Sequence, residues 1–437
     1  MSGLCGVKGK TVSIFLRWVR ETEINRIRRY GRDFTRKGKI GPHRAVFQLL
    51  SSSRQSLEGE VLDLMRRTDM EKVSDAALSK ARDKIGLGIL SSLLKKTIRS
   101  FQERNSASLS TFGGYRVIAI DGSILTLPKG LDRKELVVKT HVSPERKTVY
   151  QLEVQEAFDM VNGTVVDFQI SSRKNEHAMA IANIENTEKL DGSPKIYVFD
   201  RGYVDIRIMD RIMQKGQFFV IRLKSSTLRK EQEGLRKKSG DIEVDRTYDK
   251  AMASAYRKDG KFYERLLGRK YHLRLVRFEV GNGTVETLVT NLMPDRMASR
   301  RLREIYHMRW GVETDYRNAK QRDMLDRFTG RRLYSVLQDI YAAEIMHVLT
   351  LMSIWEAGYR RKRRKMKHPM KINYASASRN LRKSRILDTL AKEADDFPDI
   401  LSSFMDGLEK KLVPIRENRK GRPRVLSNTS KGDTYKK

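Results

Sequence analysis

Val149–Ser172, VYQLEVQEAFDMVNGTVVDFQISS, reads as two strands around Asn162-Gly163. Apolar and polar residues alternate on both sides, as in half-buried strands, and Asn-Gly suits a two-residue hairpin turn. Upstream, Tyr115–Pro128 (YRVIAIDGSILTLP) is a buried strand that ends at Asp121 and runs into a turn. Downstream, 175–190 is a helix with Asn175 as N-cap, followed by a buried strand in KIYVFDRGYVD that ends at Asp200. A helix over 204–216, capped by Asp205 and stopped by Gly216, leads to a further core strand, QFFVIRLK.

Three strands, the second and third a hairpin, then helix and strand in alternation, give an α/β fold. The layout is that of ribonuclease H, a mixed sheet with helices on its faces. Around this core we expect a helical N-terminal DNA-binding region (1–110), the first part of the core (111–224), and a β-rich insertion (225–283) containing strand-like KFYERLLG and YHLRLVRFEV. The core resumes over 284–330 with a last helix, followed by a helical C-terminal region (331–410) and a basic tail (411–437). Near the N-terminus, VSDAALSKARDKIG has Ser74 or Asp75 to cap it, Ala76, Leu78 and Ala81 to pack, and Lys80, Arg82 and Lys84 to face out. That pattern is compatible with helix-turn-helix DNA binding.

Charge narrows the partners. The 437 residues hold 89 Lys+Arg against 54 Asp+Glu, a net charge of +35 that opposes compaction unless an anion neutralises it. Between Gly358 and Leu387 there are 12 Lys/Arg and no acid, which suits contact with a DNA backbone. No apolar run reaches transmembrane length and the start lacks signal-peptide order, so we expect a soluble cytoplasmic protein without a membrane partner. The single cysteine, Cys5, excludes a disulfide framework and a Cys-based zinc site, and the seven His form no HxxxH pair. Any metal must therefore be held by carboxylates.

Two carboxylates, Asp121 and Asp200, stand at the ends of core strands, where ligand sites form in open α/β sheets. A third lies in IYHMRWGVETDYRNAK (305–320), which reads as a helix interior. With Tyr306 at zero, Arg309 falls at about 300°, Glu313 at about 340°, Lys320 at about 320° and Arg317 at about 20°. A solvated stripe with an Arg309–Glu313 ion pair is the plain reading of these residues alone. Three carboxylates on a rigid scaffold can instead hold a pair of Mg²⁺ ions for phosphoryl transfer.

Tyr306-x2-Arg309-x3-Glu313-x6-Lys320 resembles the YREK signature of the insertion-sequence DDE transposases of the cut-and-paste, "insertion sequence four" type. Asp121-Gly122-Ser123 and Asp200-Arg201-Gly202-Tyr203 resemble that family's two aspartate motifs. The resemblance covers roughly Val117 to Lys320. It implies that Asp121, Asp200 and Glu313 are catalytic metal ligands for two Mg²⁺ (Mn²⁺ in substitution), and that Tyr306, Arg309 and Lys320 hold DNA phosphates, with Arg317 beside them. It also implies excision of a mobile element, joining of its 3′ ends to target DNA through a possible hairpin intermediate, a homodimer in the DNA complex, and a prokaryotic, nucleoid-associated setting. In hairpin-forming members of that family an aromatic of the insertion can stack on a flipped base; this insertion has no Trp (the three are Trp18, Trp310 and Trp355), and Tyr256, Phe262, Tyr263 or Tyr271 could substitute. Trp310 suits core packing and DNA contact equally. The alternatives are a metal-dependent structure-selective nuclease on the same fold, and a catalytically silent DNA-binding derivative.

Overall fold

The computed structural model describes residues 9–36, 38–141, 148–173, 175–280, 283–361, 369–391 and 397–415. Cys5, most of the basic run after Gly358 and the tail from Arg416 lie outside them. In chain order the elements begin with α1 (Lys10–Glu21), α2 (Ile24–Ile27), α3 (Pro42–Ser51), α4 (Leu57–Thr68), α5 (Asp75–Asp83) and α6 (Leu87–Asn105). Next come β1 (Arg116–Thr126), β2 (Val138–His141), β3 (Thr148–Asp159), β4 (Thr164–Ser171), α7 (Glu176–Glu188), β5 (Lys195–Phe199), α8 (Ile206–Gln214) and β6 (Phe218–Arg222). They are followed by α9 (Arg229–Gln232), β7 (Gly240–Thr247), α10 (Lys250–Ala253), α11 (Gly260–Leu266), β8 (Lys270–Glu279) and β9 (Val285–Thr290). The chain closes with α12 (Ser299–Met308), α13 (Trp310–Gln321), α14 (Leu333–Arg361), β10 (Met370–Ile372), α15 (Tyr374–Lys383), α16 (Arg385–Asp388), α17 (Phe397–Lys410) and β11 (Leu412–Pro414). Two compact units result: residues 106–123 with 153–314, and the remainder.

Most of the sheet's strand residues fall in the first of these units. Among the described residues, nine strands run in the order β2-β3-β1-β5-β6-β9-β8-β7, with β4 also paired to β3. Strand β5 is parallel to β1 and β6 parallel to β5, while β4 lies antiparallel to β3. This is the ribonuclease H arrangement that the order of elements led us to expect. Strands β9, β8 and β7 extend it from β6, all antiparallel. Side chains alternate between two cores because successive strand residues point to opposite faces. Val117, Ile196, Val198 and Val220 pack with Leu302, Ile305 and Tyr306 of α12. Ile118, Ile120, Tyr197, Phe199 and Phe219 pack with α7 and α8 through Ala180, Ile184, Ile208, Met209 and Ile212.

Several local expectations change. The hairpin loop is not a two-residue turn: β3 stops at Asp159 and β4 starts at Thr164. The Asp159 carboxylate accepts from the amides of Val161 (3.1 Å) and Asn162 (3.0 Å), and Arg116 anchors it at 2.7 Å, which stabilises the longer loop. Gly163 takes φ +66°, where a side chain would be strained. KFYERLLG is helical: Asp259 caps α11 and Phe262 and Leu266, one turn apart, are buried. Asn175 occupies an N-cap position without a side-chain cap bond, its amide donating to Glu153 Oε2 at 3.1 Å. Asp205 does cap α8, accepting from the Arg207 amide at 2.8 Å.

The second unit is largely helical. Its axis is α14, 29 residues long, against which α1, α3, α5, α6, α15 and α17 pack. A largely apolar helix is buried on most of its faces, and Val336, Ile340, Ala343, Met346, Leu349 and Met352 are at most 1% exposed. Ser74 caps α5. Arg82, expected to face out, is buried and pairs with Asp339 at 2.8 Å, while Ala76 is exposed. Asp339 also binds Arg54 and accepts from the Thr329 amide at 2.7 Å. His347, fully buried, lies between Asp315 (2.9 Å) and Asp323 (3.0 Å). Glu344 nearby has no hydrogen-bond partner for either carboxylate oxygen among the described residues. Burial pushes its carboxyl up to about 8, His347 pulls it back, and Asp315 and Asp323 add to the rise. Among the described residues, no helix is long and apolar enough to cross a membrane.

Candidate active site

Strand register brings the two aspartates together. Pairing of β1 with β5 runs Arg116↔Lys195 to Ala119↔Val198. Continued two positions, the same offset sets Asp121 beside Asp200, on strands about 4.8 Å apart. Alternation directs both toward the face covered by α12. Asp200 does end its strand, opening a one-turn 3₁₀ helix over Arg201–Tyr203. Asp121 does not: β1 continues through Gly122 to Thr126. Gly122 sits in a tight spot: a Cβ there would lie 3.3 Å from both Glu176 Oε1 and Tyr203 Oη, so those side chains would have to give by a few tenths of an ångström.

The 305–320 segment is not one uninterrupted helix. Helix α12 ends at Met308 and α13 begins at Trp310, with Arg309 between them in helical geometry. Two tighter i to i+3 bonds, Arg309 N to Tyr306 O and Val312 N to Arg309 O, both 3.1 Å, replace the regular pattern. Arg309 is buried and bridges two of the acids: Nη2 donates to Glu313 Oε1 at 2.8 Å, and Nη1 lies 3.5 Å from Asp121 Oδ2. Asp121 Oδ1 accepts from the Gly122 amide at 2.9 Å. Burial pushes the Asp121 carboxyl up to about 6; Arg309 and the Gly122 amide pull it down, and the charges of Asp200 and Glu313 push it further up. Asp200 Oδ1 is buried without a hydrogen-bond partner among the described residues.

Asp121, Asp200, Tyr306, Arg309 and Glu313 thus belong to one unit, with Asp121 in the middle of β1 and Asp200 just past the end of β5. Tyr306 is 4% exposed and packs in the core, so its ring is closed to a DNA phosphate in this conformation. Its hydroxyl has no hydrogen-bond partner among the described residues. Arg317 and Lys320 fall in the other unit, where Arg317 is exposed and Lys320 Nζ donates to the Ile124 carbonyl at 3.0 Å. Trp310 is 55% exposed, which removes core packing as its role. Of the aromatics considered for stacking on a base, Phe262 and Tyr271 are buried, leaving Tyr256 and Tyr263 partly accessible. Sequence reasoning passed over His177, Gln155 and Tyr203 as site neighbours. Only Tyr203 had a signal, its place in the Asp200 motif.

The donor set can be tested against a metal. Three carboxylates offer hard oxygen ligands and, with Arg309, leave two uncompensated negative charges, which suits Mg²⁺ or Mn²⁺. The unpartnered Asp200 oxygen and the raised Asp121 fit a site completed by cations.

Residues 112–349 match the family described as "Transposase DDE domain". The probable transposase for insertion sequence element IS5377 of Geobacillus stearothermophilus is 27% identical over 165 residues, 37% of this chain. The match spans 40% of that relative's length. A cryo-EM structure of the piggyBac transposase synaptic complex with hairpin DNA aligns with a TM-score of 0.51 at 12% identity. That alignment covers 94% of this chain and 87% of the other, and the likeness is one of fold.

Proposed function

We propose, from the premise that the chain belongs to the transposase DDE-domain family, that it cuts DNA at the ends of a mobile element and joins the freed 3′ ends to target DNA. The reading rests on the convergence of Asp121 and Asp200, on adjacent parallel strands, with Glu313, tied to Asp121 through Arg309. Asp121, Asp200 and Glu313 would hold two Mg²⁺ ions, with Mn²⁺ in substitution. Bound there, divalent cations supply charge neutralisation for phosphoryl transfer and acidify an attacking water or hydroxyl.

The chain's own residues divide the remaining work. Arg309 sets the spacing of Asp121 and Glu313, and its planar fork suits a DNA phosphate once cations take over the carboxylates. Tyr306 backs Arg309 from the core. Lys320 and Arg317 bind phosphates as point charge and fork, and the excess positive charge of the chain attracts the DNA backbone. Trp310, exposed beside Arg309, offers a face on which a base at the DNA end can stack. Work at two element ends calls for a homodimer on DNA, and a hairpin intermediate remains one route from the first cut to the second.

The test is a strand-transfer assay with labelled element ends, a target plasmid and Mg²⁺. Joined products that require the end sequences are expected. Cleavage without joining, on ends of any sequence, would replace this reading with a structure-selective nuclease.

A further inference from the structure

His177 stands outside the carboxylate triad yet grips the turn that carries Asp200. It lies in the first turn of α7, whose start is pinned to β3: the Asn175 amide donates to Glu153 Oε2 at 3.1 Å, and Gln155 Nε2 donates to the Glu176 carbonyl at 3.2 Å. From there the imidazole reaches across two neighbours. Nδ1 lies 2.8 Å from Asp205 Oδ2, and Nε2 lies 3.0 Å from the Gly202 carbonyl oxygen. Both neighbours are acceptors, which favours a hydrogen on each ring nitrogen, the imidazolium form, and the Asp205 hydrogen bond raises the ring's pKa. A cation at a helix N-terminus is on the wrong end of the helix dipole. The Asp205 carboxylate, also held by Arg207 at 2.6 Å, compensates for this.

The clamped turn is short and leads directly from Asp200. The Tyr203 amide donates to the Asp200 carbonyl at 3.1 Å, closing one turn of 3₁₀ helix. Tyr203 Oη accepts from Gln155 Nε2 at 2.9 Å, and its ring packs 5.4 Å from Phe199 and 6.0 Å from His177. The turn is therefore fixed at Gly202 by His177 and at Tyr203 by Gln155, while the Asp200 carboxylate keeps an unpartnered oxygen.

We propose that His177 is a positioning residue for the metal site: bridging Asp205 and the Gly202 carbonyl, it fixes the Asp200–Tyr203 turn and so directs the Asp200 carboxylate toward Asp121. This rests on the metal-binding reading of the triad. The groups that face the ring are Asp205 and Arg207 at the head of α8 and Tyr203 on the turn, with Glu176 adjacent on its own helix. Loss of one ring proton leaves the stronger acceptor, Asp205, bonded and turns an Nε2 lone pair toward the Gly202 carbonyl. The turn is then released, and metal affinity falls as pH rises past the titration of His177.

Calorimetric Mg²⁺ titration of the full chain at a series of pH values from about pH 7 upward, above the ordinary histidine range, tests this. The comparison is wild type with His177→Ala, His177→Gln and Asp200→Asn, each checked for folding by circular dichroism. His177→Ala should lose about tenfold or more in affinity at the lower pH, as for other residues that orient a metal ligand. His177→Gln keeps a donor for the Gly202 carbonyl, so it should retain most of the affinity and lose the decline at high pH. If His177→Ala does not fold, the flat profile of His177→Gln carries the test. Unchanged affinity in His177→Ala, or a decline that persists in His177→Gln, would overturn the positioning role while Asp200→Asn still abolishes binding. Wild-type binding that Asp200→Asn leaves intact would overturn the metal reading beneath it.

Discussion

Replacing Asp121 by Asn should stabilise the protein when metal is withheld. The Asp121 carboxyl moves from an ordinary 3.8 to about 6 in the folded chain. Below 3.8 both folded and unfolded chains hold the proton; between 3.8 and about 6 only the folded chain does; above about 6 neither does. Stability therefore falls as pH rises through that window, and the penalty is complete above it. At about 1.4 kcal/mol per pKa unit, a shift of about two units is worth about 3 kcal/mol. The side chain is 21% exposed, which makes that figure a ceiling. Asn keeps the acceptor for the Gly122 amide and removes the charge. With EDTA present, the urea midpoint of Asp121→Asn should exceed that of wild type at about pH 7.5 and match it near pH 3.5, the difference growing through the window. An Asn variant less stable at both pH values, or a pH-independent difference, would refute the idea that burial of the Asp121 charge, with Asp200 and Glu313 adding to it, strains the metal-free site.

Glu344→Gln should act in the helical unit in a related way. Its carboxyl rises from 4.5 to about 8, so wild-type stability declines as pH rises between those values. The Gln variant should lack that decline and gain relative to wild type above about pH 8 in urea midpoints; parallel profiles would contradict it. Trp310→Ala should change folding stability by less than about 0.5 kcal/mol, because the residue is exposed. It should weaken binding of element-end DNA in fluorescence anisotropy by about 5- to 150-fold, the range for loss of one base stack; unchanged affinity would remove Trp310 from the DNA interface.

The central strands were legible because each is a short, continuous apolar run buried on both faces. Val117, Ile118, Ala119 and Ile120 run straight into Asp121, and Ile196–Phe199 into Asp200, so the register that aligns the acids could be read from where the apolar runs stop. Strand β2 was missed: four residues, Val138–His141, are too few to show a pattern. KFYERLLG misled because aromatic and leucine content resembles a strand, whereas Asp259 capping and the Phe262–Leu266 spacing select a helix. Wheel arithmetic on 305–320 aligned Arg309 with Glu313, yet could not reveal the tightening at Arg309 or the burial of Tyr306. Long-range pairs left no local trace. Arg82 looks like any surface cation until Asp339, 257 positions away, comes into contact with it. His177 likewise acquires meaning only when α7 is laid against the turn after β5.

The most direct measurement is Mg²⁺-dependent nicking of end-labelled DNA carrying the element's two ends, by wild type and by Glu313→Gln, with DNA affinity measured in parallel. The account predicts specific 3′ nicking by wild type and its loss in Glu313→Gln while binding persists. Nicking that survives in Glu313→Gln would contradict it and return the Arg309–Glu313 pair to an ordinary ion pair on a helix.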